Sequence, residues 1–331
     1  MSAGFSAEVS GAAIRLSPVS MNEVSIPRGK NQISDTGSLR FPLIGRFFRR
    51  TGRQVEADVP PLHHAVMIVA FEGWNDAGEA ASYSAGFLER AWSAVPFAEI
   101  DPEEFFDFTE VRPQVQFNSD QTRTIKWPVT SFSLATAGGQ GNDVILVSGS
   151  EPQLRWRTYC EAFIELAQSL NVERVIMLGA YLGEITHSRP VPISASAHDS
   201  TLVDHHGLSP SHYEGPTGIL GVLGAALSEA KIPSVSVWAS VPCYSLPIAP
   251  KAALALTRVA TTLAERFVDM AELEVEATDY EMRMNELLSE DENVAAYVER
   301  IQEFEEADSE VLSTDGLAEE IERYLHRGEE S

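Results

Sequence analysis

The chain has 331 residues, enough for one large hydrophobic core with an added subdomain, and its composition is that of an ordinary globular protein. Its 49 acidic and 24 basic residues give a net charge of −25, which repels phosphate backbones and argues against nucleic-acid binding. No apolar run approaches the ~20 residues of a membrane span, and two cysteines, Cys160 and Cys243, are too few for a disulfide framework. Both cysteines sit among apolar residues and read as reduced and structural, in a protein expected to be cytoplasmic.

Residues 1–60 read as a flexible leader. They are polar, rich in Ser and Gly, and without apolar periodicity, so they cannot offset the entropy of ordering. Within them Leu39 to Arg50 is basic and aromatic, and suits contact with a membrane surface or with an acidic part of the chain; a start at Met21 is a further option. From Ala65 the pattern changes. Ala65–Phe71 is a continuous apolar run, as expected of a strand covered on both faces. Residues 77–92 follow as an amphipathic helix, then a short strand at 97–100. Two segments at 112–117 and 122–127 flank Asn118-Ser119-Asp120 and predict a hairpin, read as an antiparallel edge of the sheet. Buried strands are expected at 144–148, 175–180 and 234–241, with helices at 153–170, 217–230 and from 250 through 267.

Strands alternating with helices imply a mostly parallel sheet covered on both sides, over a core domain of residues 61–268. Most of the excess negative charge falls after residue 268, where Arg283, Arg300, Arg323 and Arg327 are the only bases. Amphipathic helices are expected there at 278–288, 292–306 and 315–326, so residues 269–331 read as an acidic helical appendage. It is either a solvated face or a surface for a basic partner.

Four polar segments stand at predicted strand ends: Glu72-Gly73-Trp74-Asn75-Asp76-Ala77-Gly78, Glu151-Pro152-Gln153-Leu154-Arg155-Trp156, His187-Ser188-Arg189-Pro190-Val191-Pro192, and Tyr213-Glu214-Gly215-Pro216-Thr217-Gly218. In open α/β sheets, sites form at such ends. The last segment reads as a turn feeding a helix, with Thr217 as N-cap and Gly218 and Gly221 leaving the first turn bare. Gly215, Thr217 and Gly218 are therefore candidates to hold an anion on free N–H groups, while tight packing on the sheet is the plainer alternative. The order and content of these segments resemble the proteasome assembly chaperone two family, in its bacterial, actinobacterial-type branch, over residues 62–305. The resemblance implies a three-layer α/β/α sandwich of phosphorylase/hydrolase-like architecture. It also implies proteins that guide proteasome α-type subunits into rings. Members that dock on finished proteasomes often end in a hydrophobic–Tyr–any tail; here Tyr324 is the nearest tyrosine and the last five residues run Arg327-Gly328-Glu329-Glu330-Ser331, so tail docking is not expected.

Glu72, Asn75, Asp76, Glu151, Arg155, His187, Arg189, Tyr213 and Glu214 form a candidate cleft. Arg155 and Arg189 could clamp a phosphate or carboxylate, and Asp76 could orient His187 as a base. Each residue also has a structural use. Asn75 and Asp76 suit helix caps, His187 and Arg189 suit loop hydrogen bonds, and Arg155 can pair with Glu151 across one turn. No catalytic residue is singled out, because there is no G-x-S-x-G elbow. His63-His64 and Asp204-His205-His206, even with His198-Asp199, make a poor metal set, and no cofactor is expected. Two readings stay open: a non-enzymatic assembly factor or scaffold with protein partners, and a small-anion-binding protein or hydrolase/phosphorylase-like enzyme using the strand-end cleft. Homo-oligomerisation is expected in both, through the 294–304 stripe and the Gly/Ala-rich 218–230 helix.

Overall fold

The computed structural model describes residues 47–49, 59–119, 121–139, 141–197, 208–211 and 213–311. In chain order the elements are β1 (Phe48–Arg49), β2 (Val66–Glu72), α1 (Ala80–Ala91), β3 (Val95–Ile100), β4 (Gln114–Phe117), β5 (Arg123–Lys126), β6 (Thr130–Ala135) and β7 (Val144–Ser150). There follow α2 (Trp156–Ser169), β8 (Arg174–Gly183), β9 (Ile193–Ala197), β10 (Ser209–Pro210), α3 (Ile219–Glu229), β11 (Ser234–Pro242), α4 (Pro250–Leu263), α5 (Ala271–Glu290) and α6 (Glu292–Val311).

The main sheet runs β1-β3-β6-β7-β2-β8-β11-β9-β10. Its centre, β7-β2-β8-β11, is parallel, and antiparallel strands extend it on both sides. Alternation along β2 divides the core. Val66, Ile68 and Ala70 face one side, where α1, α4 and α5 lie; Met67, Val69 and Phe71 face the other, where α2 and α3 lie. The three-layer α/β/α arrangement follows. The α1–α4 side is rich in alanine, with Ala80, Ala81, Ala85, Ala252, Ala253 and Ala260 buried. Small side chains let those helices approach the sheet and each other closely. The opposite side is filled by aromatic rings: Phe132 meets Phe48, Phe97 and Phe163, and Phe105 meets Phe47 and Tyr159.

Several local expectations are corrected. The β4–β5 hairpin forms, but as a separate two-stranded sheet. Pro128 interrupts the chain before β6, and β6 and β3 make the antiparallel edge instead. Phe48 and Arg49, from the basic aromatic part of the leader, pair with Ile100 and Glu99, so Phe47 and Phe48 lie against the domain's own rings. The helix beginning at Pro250 stops at Leu263 rather than passing Phe267: Glu265 is left-handed, and Phe267 projects into solvent. Cys160 is buried, whereas Cys243 is exposed. The helix expected at 315–326 lies outside the described residues.

The chain after residue 268 does more than carry charge. α5 turns Leu273, Ala277, Tyr280 and Met284 into the same core that α1 and α4 enclose. Tyr83 on α1 donates a hydrogen bond to Glu276 on α5 at 2.7 Å; burial and that carboxylate push its pKa up to about 12. Among the described residues, no helix is long and apolar enough to cross a membrane.

One backbone position tests the close approach of β7 to the chain entering β6. Gly149 in β7 has φ +154°, and a Cβ there would lie 2.2 Å from the Val129 carbonyl oxygen. Gly149→Ala is expected to lose roughly 3 kcal/mol or more, because both conformation and backbone clash oppose it; urea unfolding measures it.

Candidate functional site

The carboxyl ends of β2 and β7 lie side by side, with Glu72 opposite Ser150. The chain leaves β2 through Gly73, whose φ is +121°, and the turn is closed by a hydrogen bond from the Asp76 N–H to the Gly73 carbonyl. This brings Asn75 and Asp76 under the sheet end, where both are buried. The Ala180 N–H donates to the Asn75 carbonyl at 2.8 Å, sewing the turn to β8.

Glu151 is the centre of the site. Its backbone N–H donates to the Glu72 carbonyl at 2.8 Å. Its carboxylate Oε1 accepts from Asn75 Nδ2 at 2.9 Å and from the Ile219 N–H at 2.7 Å. Ile219 opens α3, so this carboxylate sits where the helix presents its positive end. The anion foreseen for the Gly215–Gly218 turn is thus supplied by the chain itself. The helix cap is Gly218, not Thr217. A Cβ at Gly218 would lie 2.5–2.7 Å from the Asn75 amide and Glu151 Oε1, so glycine is needed for this approach. Beside it, Tyr213 is exposed and folds its hydroxyl back onto the Pro216 carbonyl at 3.0 Å. Glu214 is exposed on the same turn.

Asp76 acts as the cap expected of it. Its Oδ1 accepts from the N–H groups of Ala81 at 2.7 Å and Ser82 at 3.2 Å, in the first turn of α1. Among the described residues its Oδ2 is buried without a hydrogen-bond partner, as is Asn75 Oδ1. Burial is the main reason that the Asp76 carboxyl is held above its ordinary pKa.

The remaining candidates do not converge on this point. Arg155 takes a left-handed conformation ahead of α2 and pairs with Glu104, not with Glu151. His187 is buried near α4 and α5. Its Nδ1 meets the Tyr244 hydroxyl at 2.9 Å and its Nε2 meets Asn285 Oδ1 at 3.1 Å, so Asp76 does not orient it. Arg189 is half-buried in the same loop, and its carbonyl, like that of His187, accepts from Lys251 Nζ. Lys251 also pairs with Glu281 of α5. Arg155 therefore pairs on the α2 side, while the Arg189 backbone is held on the α4–α5 side.

Tyr244, Lys251, Glu281 and Asn285 were not foreseen in this role. The only sequence hint is a lysine directly after Pro250, at the start of a helix. Among the described residues no group of three or more His, Cys, Asp or Glu could hold a metal ion; His198, Asp204, His205 and His206 lie outside them.

The PAC2 family profile matches residues 70–288. A PAC2 family protein of Streptomyces avermitilis is 42% identical, with a TM-score of 0.66; the match covers 71% of this chain and 99% of that one. A proteasome-assembly chaperone homologue of Mycobacterium tuberculosis is 40% identical, with a TM-score of 0.65, over 70% of this chain and 99% of that one. An archaeal proteasome activator of Pyrococcus furiosus shares the fold at 16% identity, with a TM-score of 0.57, over 73% and 98% of the two chains. No curated protein matches the chain.

Two substitutions test the site. Glu151→Ala leaves Asn75 Nδ2 and the Ile219 N–H without their acceptor and is expected to lose about 2–3 kcal/mol in urea unfolding. Asp76→Asn tests the other buried group. The folded carboxyl has the higher pKa, so protonation favours the fold in acid, and that contribution is lost as pH rises through the folded value. Asn in its place is expected to be as stable as the parent or more so at neutral pH, with any advantage shrinking in mild acid. Unfolding midpoints at the two pH values measure this.

Proposed function

Because the chain belongs to the PAC2 family, we propose that it is a non-catalytic scaffold of proteasome assembly, acting in the cytoplasm as a homo-oligomer on α-type proteasome subunits. The observation that carries this reading is the 40% identity to the Mycobacterium tuberculosis proteasome-assembly chaperone homologue along 99% of that chain. The site geometry supports it. A general base must reach the proton that it removes. Here Glu151 is committed to Asn75 and Ile219, Asp76 to α1, and His187 to Tyr244 and Asn285. These side chains hold loops and helices in place. The small-anion alternative loses its central support once Glu151 occupies the start of α3.

In this reading the domain of residues 61–268 is the framework, and the helices after it present the binding surface. The acidic outer side of α6 suits a basic patch on the partner. The test is binding of the purified chain to isolated α-type subunits, followed by interferometry at low and high salt. Saturable binding is expected, weakened about tenfold by Glu299→Lys with Glu303→Lys and weakened further by salt. Absence of binding to any α-type subunit would overturn the proposal.

A further inference from the structure

The β4–β5 hairpin is the one described part of the chain whose sheet has no cover. It is two-stranded, and all eight of its residues are exposed. Val115 pairs with Ile125, and Phe117 with Arg123, which puts Val115, Phe117 and Ile125 on one face. These three are 57–63% exposed. A lone two-stranded hairpin is at best marginally stable in water, so an apolar face of this kind needs a surface to lie on. At its base the hairpin is anchored by an edge-on contact between Phe108 and Trp127.

The hairpin is also a basic island in a very acidic protein. Arg112, Arg123 and Lys126 are exposed, and no ion pair engages them among the described residues. The Arg123 guanidinium lies over the Phe117 ring, 5.2 Å from its centre, which keeps a cation beside the apolar face.

The complementary surface is on α5. From residue 271 to 311 the chain carries fifteen acids against two bases. The acids of α5 divide by direction. Glu274, Glu276 and Glu281 are taken by Arg258, Tyr83 and Lys251. Glu272, Asp279 and Glu286 are in no ion pair among the described residues. They alternate with exposed Val275 and Met282 at helical spacings of three and four, forming a single outer stripe. Val275 and Met282 are about 10 Å apart along the helix, at a rise of 1.5 Å per residue. A four-residue strand pair spans about 13 Å, so the two patches match in length.

Within one molecule the two patches belong to opposite sides of the sheet. α5 covers the alanine-rich side of the sheet, while the segment leading to the hairpin packs Phe105 and Phe106 on the aromatic side. We infer that the β4–β5 hairpin of one copy docks on the outer stripe of α5 in a second copy, with Val115, Phe117 and Ile125 covering Val275 and Met282, and Arg123 meeting Asp279 or Glu286. Such a contact uses different patches on its two sides. It therefore closes into a ring when the rotation permits, or continues as a chain when it does not. This inference does not depend on the proteasome reading, because its test contains no other protein.

Sedimentation velocity of the full chain, over a concentration series at low and high salt, reads it out. The parent is expected to self-associate, more weakly in high salt. Arg123→Glu and, separately, Asp279→Arg with Glu286→Arg should each weaken association about tenfold. Combining them should recover most of the loss. Val115→Ser with Ile125→Ser should weaken it too, with an unchanged circular dichroism spectrum as the check on folding. A parent that stays monomeric throughout, reversals without effect, or a combined variant that fails to recover would each overturn the inference. So would a monomeric parent whose hairpin binds a different protein.

Discussion

One carboxylate organises the strand-end region. Glu151 lies where β7 gives way to the turn before α2, and its oxygen is shared between the amide of Asn75 and the first N–H of α3. Those partners come from the loop after β2 and from a helix nearly seventy residues further along the chain. A buried helix start with unsatisfied N–H groups is costly, and so is a buried carboxylate without donors. Each removes the other's cost. The close approach of Gly218 follows from that pairing, because any side chain there would push the helix off the carboxylate.

Around this point the sheet separates two kinds of packing. On one side, alanines on α1 and α4 bring helices near the strands, and the Ser84 and Thr257 hydroxyls meet at 2.8 Å between the two helices. On the other, large rings fill the space between the sheet and α2, and Tyr159 bonds to Thr130 at 2.7 Å deep inside. The second side is where the short strand β1 comes to rest, because Phe47 and Phe48 find rings to pack on there.

Much of this architecture was legible in the sequence. The central strands are continuous apolar runs, and the helices between them show a clear 3.6-residue period, so β2, β7, β8, β11 and α2 were found within a few residues. β6 and β9 were not. Their sequences, TSFSLA and ISASA, are half hydroxyl or small residues, and they count as strands only because neighbours supply the pairing. Glu151, Asn75 and Gly218 were each singled out in the sequence, but not as partners of one another. Glu151, Asn75 and Gly218 are far apart in the chain, and nothing local in the sequence says that a carboxylate from one segment will cap a helix in another. The same limit applied to His187, whose partners Tyr244 and Asn285 arrive from two later elements.

Lys251 is a third case of such distant pairing. A single ammonium group holds the carbonyls of His187 and Arg189, and at the same time the carboxylate of Glu281 on α5. The loop after β8 is thereby fastened to the helix that carries the acidic stripe. The rim of the sheet and the outer helix thus share one cation, and losing its charge would leave two loop carbonyls and a carboxylate without their common partner.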